Sequence, residues 1–148
     1  MCHPNLIKAQ ERAQENAWPY AGALTPAEAF DVWQQHPQAV LLDIRTRAEW
    51  TWVGRVPQAI EIEWNTWPGG TRNPLFLKQC QAVIPYDAYV LLLCRSGARS
   101  HHAAITLHAA GYKNVYNILE GFEGDKDSEF HRNTLNGWRM AGLPWEQT

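Results

Sequence analysis

One heptapeptide carries most of the chemistry available to this sequence: Cys94-Arg95-Ser96-Gly97-Ala98-Arg99-Ser100. It follows Tyr89-Val90-Leu91-Leu92-Leu93, an apolar run that reads as a buried strand. It precedes His101 to Ala110, an Ala-rich stretch that reads as a helix stopping at Gly111. A cysteine at a strand end, a short polar loop with one glycine and a helix start together suit a reactive anion. Loop and first-turn N–H groups can converge on one atom, and the helix dipole adds partial positive charge. Arg95 and Arg99 add two full charges. All of these terms favour thiolate over thiol and make Cys94 a candidate nucleophile. A cysteine that closes a strand is more often a small packing residue. Two arginines around a glycine weigh against that here. A structural cysteine gains nothing from them, and buried cations without an anion are costly.

Spacing separates two enzyme classes. Cysteine-dependent phosphatases use a longer loop, whose phosphate-clamping arginine falls where Ser100 stands here; in this chain the arginine comes one residue earlier, at 99. The smaller ring of N–H groups suits a sulfur atom carried on Cys94 better than a tetrahedral phosphate. With this loop the chain resembles the rhodanese family of single-domain sulfurtransferases, and the resemblance extends over roughly residues 24 to 145. Leu41-Leu42-Asp43-Ile44-Arg45 is similar to the family's strand ending in Asp-x-Arg, and Ala48-Glu49-Trp50 to the acidic-aromatic helix after it. Gly54-Arg55-Val56-Pro57-Gln58-Ala59-Ile60 resembles the family's Gly-His-Ile-Pro-Gly-Ala-Ile segment, with Arg55 for His and Gln58 for Gly. Ala110 to Val115 and Leu119-Glu120-Gly121 resemble the last strand and its exit. Phe122 replaces the usual second glycine, which implies a different pocket rim.

Composition narrows the class. The chain has 148 residues, enough for one domain with a substantial core. The net charge of -2 gives no bulk attraction to nucleic acid or to an anionic membrane. Three cysteines, Cys2, Cys80 and Cys94, are too few and too scattered for a disulfide framework, which fits a reducing compartment, the cytoplasm. No Cys/His spacing supports a metal site, and the chemistry of the loop requires no cofactor. No signal-peptide core or membrane span is visible.

The elements that must position the loop read as alternating strands and helices. Asn5 to Trp18 is an N-terminal helix, assigned with residues 1–22 to an extension; residues 23–148 form the single domain. Thr25-Pro26-Ala27-Glu28 starts a helix, with Thr25 as cap, Pro26 in the first turn and Glu28 completing a capping box; it runs to about His36. Strand segments follow at 39–44, 59–62, 89–93 and 115–119, with helices at 46–52 and 74–83 and a Gly/Pro/Asn-rich loop at 64–74. Near-continuous apolar strands alternating with helices predict an α/β fold with a parallel sheet covered on both faces. The resemblance implies the three-layer rhodanese-like version of it. Cys94 and Arg45 then both fall beyond the carboxyl ends of the strands, where such sheets hold their sites. The segment from Asn136 to Trp145 resembles the closing helix and cap of bacterial single-domain rhodaneses.

The remaining candidates are weaker. Asp43 and Arg45 read as an ion pair that fixes loops; the resemblance implies support for the active loop and added positive field from Arg45. Asp43 is not needed as a base. Trp64 and Trp67 fall in the loop after the third strand segment, where they could line the pocket or meet a partner. His101 and His102 are adjacent on a helix, face different ways and read as surface. Cys80 reads as packing, and Cys2 as an exposed terminal thiol that could receive sulfur from Cys94. The implied activity is transfer of sulfane sulfur from thiosulfate or a related persulfide, through a Cys94 persulfide, to a thiophilic acceptor such as cyanide, a thiol or a protein cysteine. Residues 95 to 100 would hold the terminal sulfur. Two other classes stay open: a phosphatase or arsenate reductase, and a non-catalytic binding module.

Overall fold

The computed structural model describes residues 3–147; Cys2, the candidate secondary sulfur acceptor, lies outside them. The elements are α1 (Pro4–Glu15), β1 (Gly22–Leu24), α2 (Pro26–Gln35), β2 (Ala39–Asp43), α3 (Arg47–Trp52), β3 (Ile60–Glu61), α4 (Phe76–Val83), β4 (Tyr89–Leu93), α5 (Ala98–Ala109) and β5 (Asn114–Ile118). The five strands form one parallel sheet in the order β1-β5-β4-β2-β3. β4 is central: Val90 pairs with Val40 on one side and Val115 on the other.

Strand alternation divides the core into two layers. Leu42, Val90, Leu92, Cys94 and Val115 pack with Phe76 and Cys80 of α4 and with Ala103, Ala104 and Leu107 of α5. Leu41, Leu91, Leu93 and Tyr116 pack on the other face with Leu6 and Ala9 of α1 and with Ala29 and Val32 of α2. Both faces are therefore covered, as continuous apolar strands require. The chain is α/β with helices on both faces of its sheet.

Local signals account for most element starts. Thr25 and Glu28 complete the expected capping box of α2, and Thr46 and Glu49 form the same device at α3. Three features depart from expectation. β1 is an additional strand of three buried residues, too short for a periodic signal. α5 begins at Ala98 rather than His101, because Gly97 adopts φ 104° and starts the helix immediately after the loop. The tail from Asn136 to Trp145 does not form the closing helix. Gly137 and Gly142 both have positive φ, and the segment is a set of turns. Its anchor is Trp138, fully buried against Phe30 and Trp33.

Helix α1 lies close against β1. A methyl group on Gly22 would stand 2.5 Å from the Ala9 carbonyl carbon. We expect Gly22→Ala to push α1 off the sheet and cost about 1–3 kcal/mol, the usual penalty for overpacking. That corresponds to a thermal midpoint lower by about 3–10 °C in a melt followed by circular dichroism. An unchanged midpoint would show that α1 does not rest on the sheet.

Candidate active site

The sulfur of Cys94 sits at the carboxyl end of the central strand, where the residue is only 1% exposed. The Gly97 amide donates to Sγ at 3.1 Å and the Ser100 amide at 3.4 Å. Because α5 starts at Ala98, the Ser100 amide belongs to its first turn, whose N–H groups have no partner within the helix. The helix dipole therefore ends on the sulfur. The Ser100 hydroxyl is also within 3.2 Å of Sγ.

The loop is held from outside. The amides of Phe122 and Glu123 donate to the carbonyl oxygens of Cys94 and Arg95, at 2.8 and 2.9 Å. Positive φ at Glu120 and Gly121 turns the chain after β5 over the loop. A methyl group on Gly121 would meet the Cys94 oxygen, the Arg95 carbonyl carbon and the Ser96 nitrogen, each at 2.5 Å. Only glycine fits there. With these two carbonyls tied outward, the amide side of the loop faces the sulfur.

The two loop arginines are not equivalent. Arg95 is exposed and has no ion-pair partner among the described residues. Arg99 makes a two-pronged ion pair with Glu49 on α3, 2.8 Å on each prong, so its charge is compensated. Burial raises the Glu49 carboxyl, but hydrogen bonding and charge from Arg99, with the Thr46 amide and Arg45, outweigh it and hold the group below its ordinary value. Burial lowers the Arg99 guanidinium, but Glu49, with smaller contributions from Cys94 and Asp43, brings it above its ordinary value. The expectation of two free cations at the loop is corrected to one.

Asp43 and Arg45 form a fully buried pair: Arg45 Nη2 reaches Asp43 at 2.7 Å and the Gly54 carbonyl at 2.9 Å. Arg45 Nη1 has no hydrogen-bond partner among the described residues, and the centre of the Phe122 ring lies 4.0 Å from the guanidinium carbon. Phe122 is thus no rim residue. It is fully buried and faces the cation with its π-face, a contact that suits a desolvated guanidinium. Paired with Asp43, Arg45 ties the end of β2 to the Gly54 carbonyl.

A cleft of about 670 Å³ opens beside the loop, lined by Glu49, Trp52, Trp67, Arg95, Arg99 and Arg132 among others. Trp67, 60% exposed, lines the cleft. Trp64 is not: it is buried edge-on to Phe76 with Arg72 stacked 3.6 Å over its ring. Trp52, Glu123 and Arg132 line the cleft without having been singled out from sequence. A second depression touches Ser96, Gly97 and Ala98 from the side of Trp18, His101 and His102. His101 is hydrogen-bonded to the Tyr20 hydroxyl at 2.6 Å rather than free on the surface. Cys80 is fully buried, and burial pushes its thiol up to about 12. Among the described residues no cluster of His, Cys, Asp and Glu could hold a metal ion.

The rhodanese-like domain model matches residues 26–128. The chain belongs to the rhodanese-like domain family. Among solved structures, that of Rv0390 from M. tuberculosis is 44% identical, with a TM-score of 0.79 over 87% of this chain and 99% of that one. An uncharacterized protein of Rickettsia conorii, RC0915, is 36% identical over 127 residues, 80% of this chain and 92% of its own length. Thiosulfate sulfurtransferase GlpE of Actinobacillus succinogenes is 29% identical over 123 residues, 83% of this chain and 88% of its own. At family level the domain match and the sulfurtransferase-named relative support a transferase. No helix among the described residues is long and apolar enough to cross a membrane.

The Glu49–Arg99 pair ties the loop helix to α3 and has a defined pH signature. A carboxyl whose folded value is depressed stabilises the fold fully above its unfolded value, about 4.3, and loses that contribution as pH falls through the folded value. Glu49→Gln is expected to cost about 1–2 kcal/mol at neutral pH in urea unfolding, with the gap to the parent closing below about pH 4. A gap that is constant with pH would mean the pair is not the source of the loss.

Proposed function

We propose that the protein is a sulfurtransferase that carries sulfane sulfur on Cys94. The carrying observation is the convergence of the Gly97 and Ser100 amides on Cys94 Sγ, in a loop whose next residue, the unpaired Arg95, lines the adjoining cleft. The Cys94 thiolate attacks the outer sulfur of thiosulfate. The sulfur–sulfur bond of the donor breaks, sulfite leaves with its electron pair, and Cys94 carries a terminal sulfur anion. Backbone N–H groups of residues 95 to 100 hold that anion in a preorganised cradle. An acceptor, cyanide in the test tube or a thiol or protein cysteine in the cell, then takes the sulfur and leaves the thiolate. Arg95 steers the dianionic donor. The name borne by the Actinobacillus relative supports thiosulfate as donor, and a persulfide meets the same chemistry. Two free buried cysteines, Cys80 and Cys94, fit a reducing compartment, and we place the protein in the cytoplasm.

Transfer from thiosulfate to cyanide is expected in steady-state assay, lost in Cys94→Ser. In Arg95→Ala the rate should be lower by about tenfold, with a weaker dependence on salt. Hydrolysis of an aryl phosphate is expected to be absent. Transfer that survives Cys94→Ser, or phosphate hydrolysis that requires Cys94, would overturn the reading; the second result would support the phosphatase class.

A further inference from the structure

Ser100 has one hydroxyl proton and two neighbours that could accept it. Its Oγ lies 3.2 Å from Cys94 Sγ and 2.5 Å from Asn117 Oδ1. The carbonyl oxygen of Gly97 decides which way the Asn117 amide is turned. A carbonyl only accepts, and Asn117 Nδ2 donates to it at 3.3 Å. Asn117 Oδ1 therefore faces Ser100, and Ser100 must donate to it. Both residues are buried, Ser100 at 0% and Asn117 at 3% exposure. With its proton committed to Asn117, Ser100 Oγ presents lone pairs to the sulfur. It can accept from a thiol but gives nothing to a thiolate.

We propose that Asn117 is a positioning residue that withholds the Ser100 hydroxyl proton from Cys94. The Cys94 thiolate is then held by backbone amides rather than by a side-chain donor. This matters for group transfer because a thiolate loses nucleophilicity as it is stabilised. The loop amides, fixed by the fold, remain for the incoming sulfur, while the one rotatable donor is kept away. The inference rests on Cys94 being the reacting group.

Other charged and titratable groups face this cluster. Arg99 of α5 acts on Cys94 and is paired with Glu49 of α3. Asp43 and Arg45 close the end of β2, and the Tyr20 hydroxyl, bonded to His101, faces the Asn117 amide. All are retained in the variants below.

The test is a pH titration of the ultraviolet thiolate absorbance of the full chain, each variant minus its Cys94→Ser counterpart. Asn117→Leu, close in shape, releases the hydroxyl to the sulfur. Its midpoint should move to lower pH by about one unit, the scale of one hydrogen bond to an ion. Ser100→Ala in the otherwise unchanged chain should leave the midpoint in place or lower it. Adding Ser100→Ala to Asn117→Leu should abolish the Asn117→Leu shift, and comparing the double variant with Asn117→Leu cancels the loss of the Gly97 carbonyl's donor, common to both. A higher midpoint in Ser100→Ala would show that the hydroxyl already serves the sulfur and would overturn the proposal, as would an unshifted Asn117→Leu. Should Asn117→Leu fail to fold, the direction of the Ser100→Ala change decides alone. Ionisation is read without any sulfur transfer, so a protein that shows these shifts but carries no sulfur contradicts the sulfurtransferase reading and not this one.

Discussion

The hydrogen bonds from the Gly97 and Ser100 amides to Cys94 Sγ exist only because the loop carbonyls face away from the sulfur. Three parts of the fold impose that orientation. Gly97 takes a backbone conformation that lets α5 begin at the next residue. The turn at 120–123 draws the Cys94 and Arg95 carbonyls outward, with Gly121 in contact too close for any side chain. Asn117 of β5 reaches both Gly97 and Ser100. The central strand contributes the cysteine, and its neighbour β5 contributes the means of shaping the loop around it. The sheet order β1-β5-β4-β2-β3 makes this possible by placing β5 directly beside β4.

Charge is distributed unevenly around that arrangement. Both buried or half-buried arginines near the loop are neutralised by carboxylates, Arg45 by Asp43 and Arg99 by Glu49. A buried ion pair adds little net stability over an apolar equivalent, but removing one partner is expensive. Such pairs therefore suit a role in fixing geometry: Asp43–Arg45 ties the end of β2 to Gly54, and Glu49–Arg99 ties α3 to α5. Of the two loop arginines, Arg95 keeps its charge free of an ion pair among the described residues, and it faces solvent and the cleft, where it can meet an anion arriving from outside.

What could be read from the sequence was local. The strand–loop–helix around Cys94, the capping box at Thr25 and the parallel α/β class all follow from contiguous residues or from period. The features that escaped depend on distant partners. Glu49 and Arg99 are fifty positions apart, and nothing in either segment announces the pairing. Asn117 sits in an apolar strand as an ordinary polar interruption until β5 is laid beside β4. Trp64 and Trp67 are three residues apart in one loop, yet one is core and the other lines the cleft. Phe122 reads as a departure at a rim, and only the buried Arg45 beneath it explains an aromatic ring there. The tail resembles a closing helix, but two glycines with positive φ break it into turns.

The central claim is that this cradle carries a sulfur atom on Cys94. Intact mass after incubation with thiosulfate tests it most directly, with Cys94→Ser measured in parallel. The account predicts a gain of one sulfur atom on the parent chain, absent in the variant and removed by cyanide. A gain that persists in Cys94→Ser, or no gain with either thiosulfate or a low-molecular-mass persulfide as donor, would contradict it.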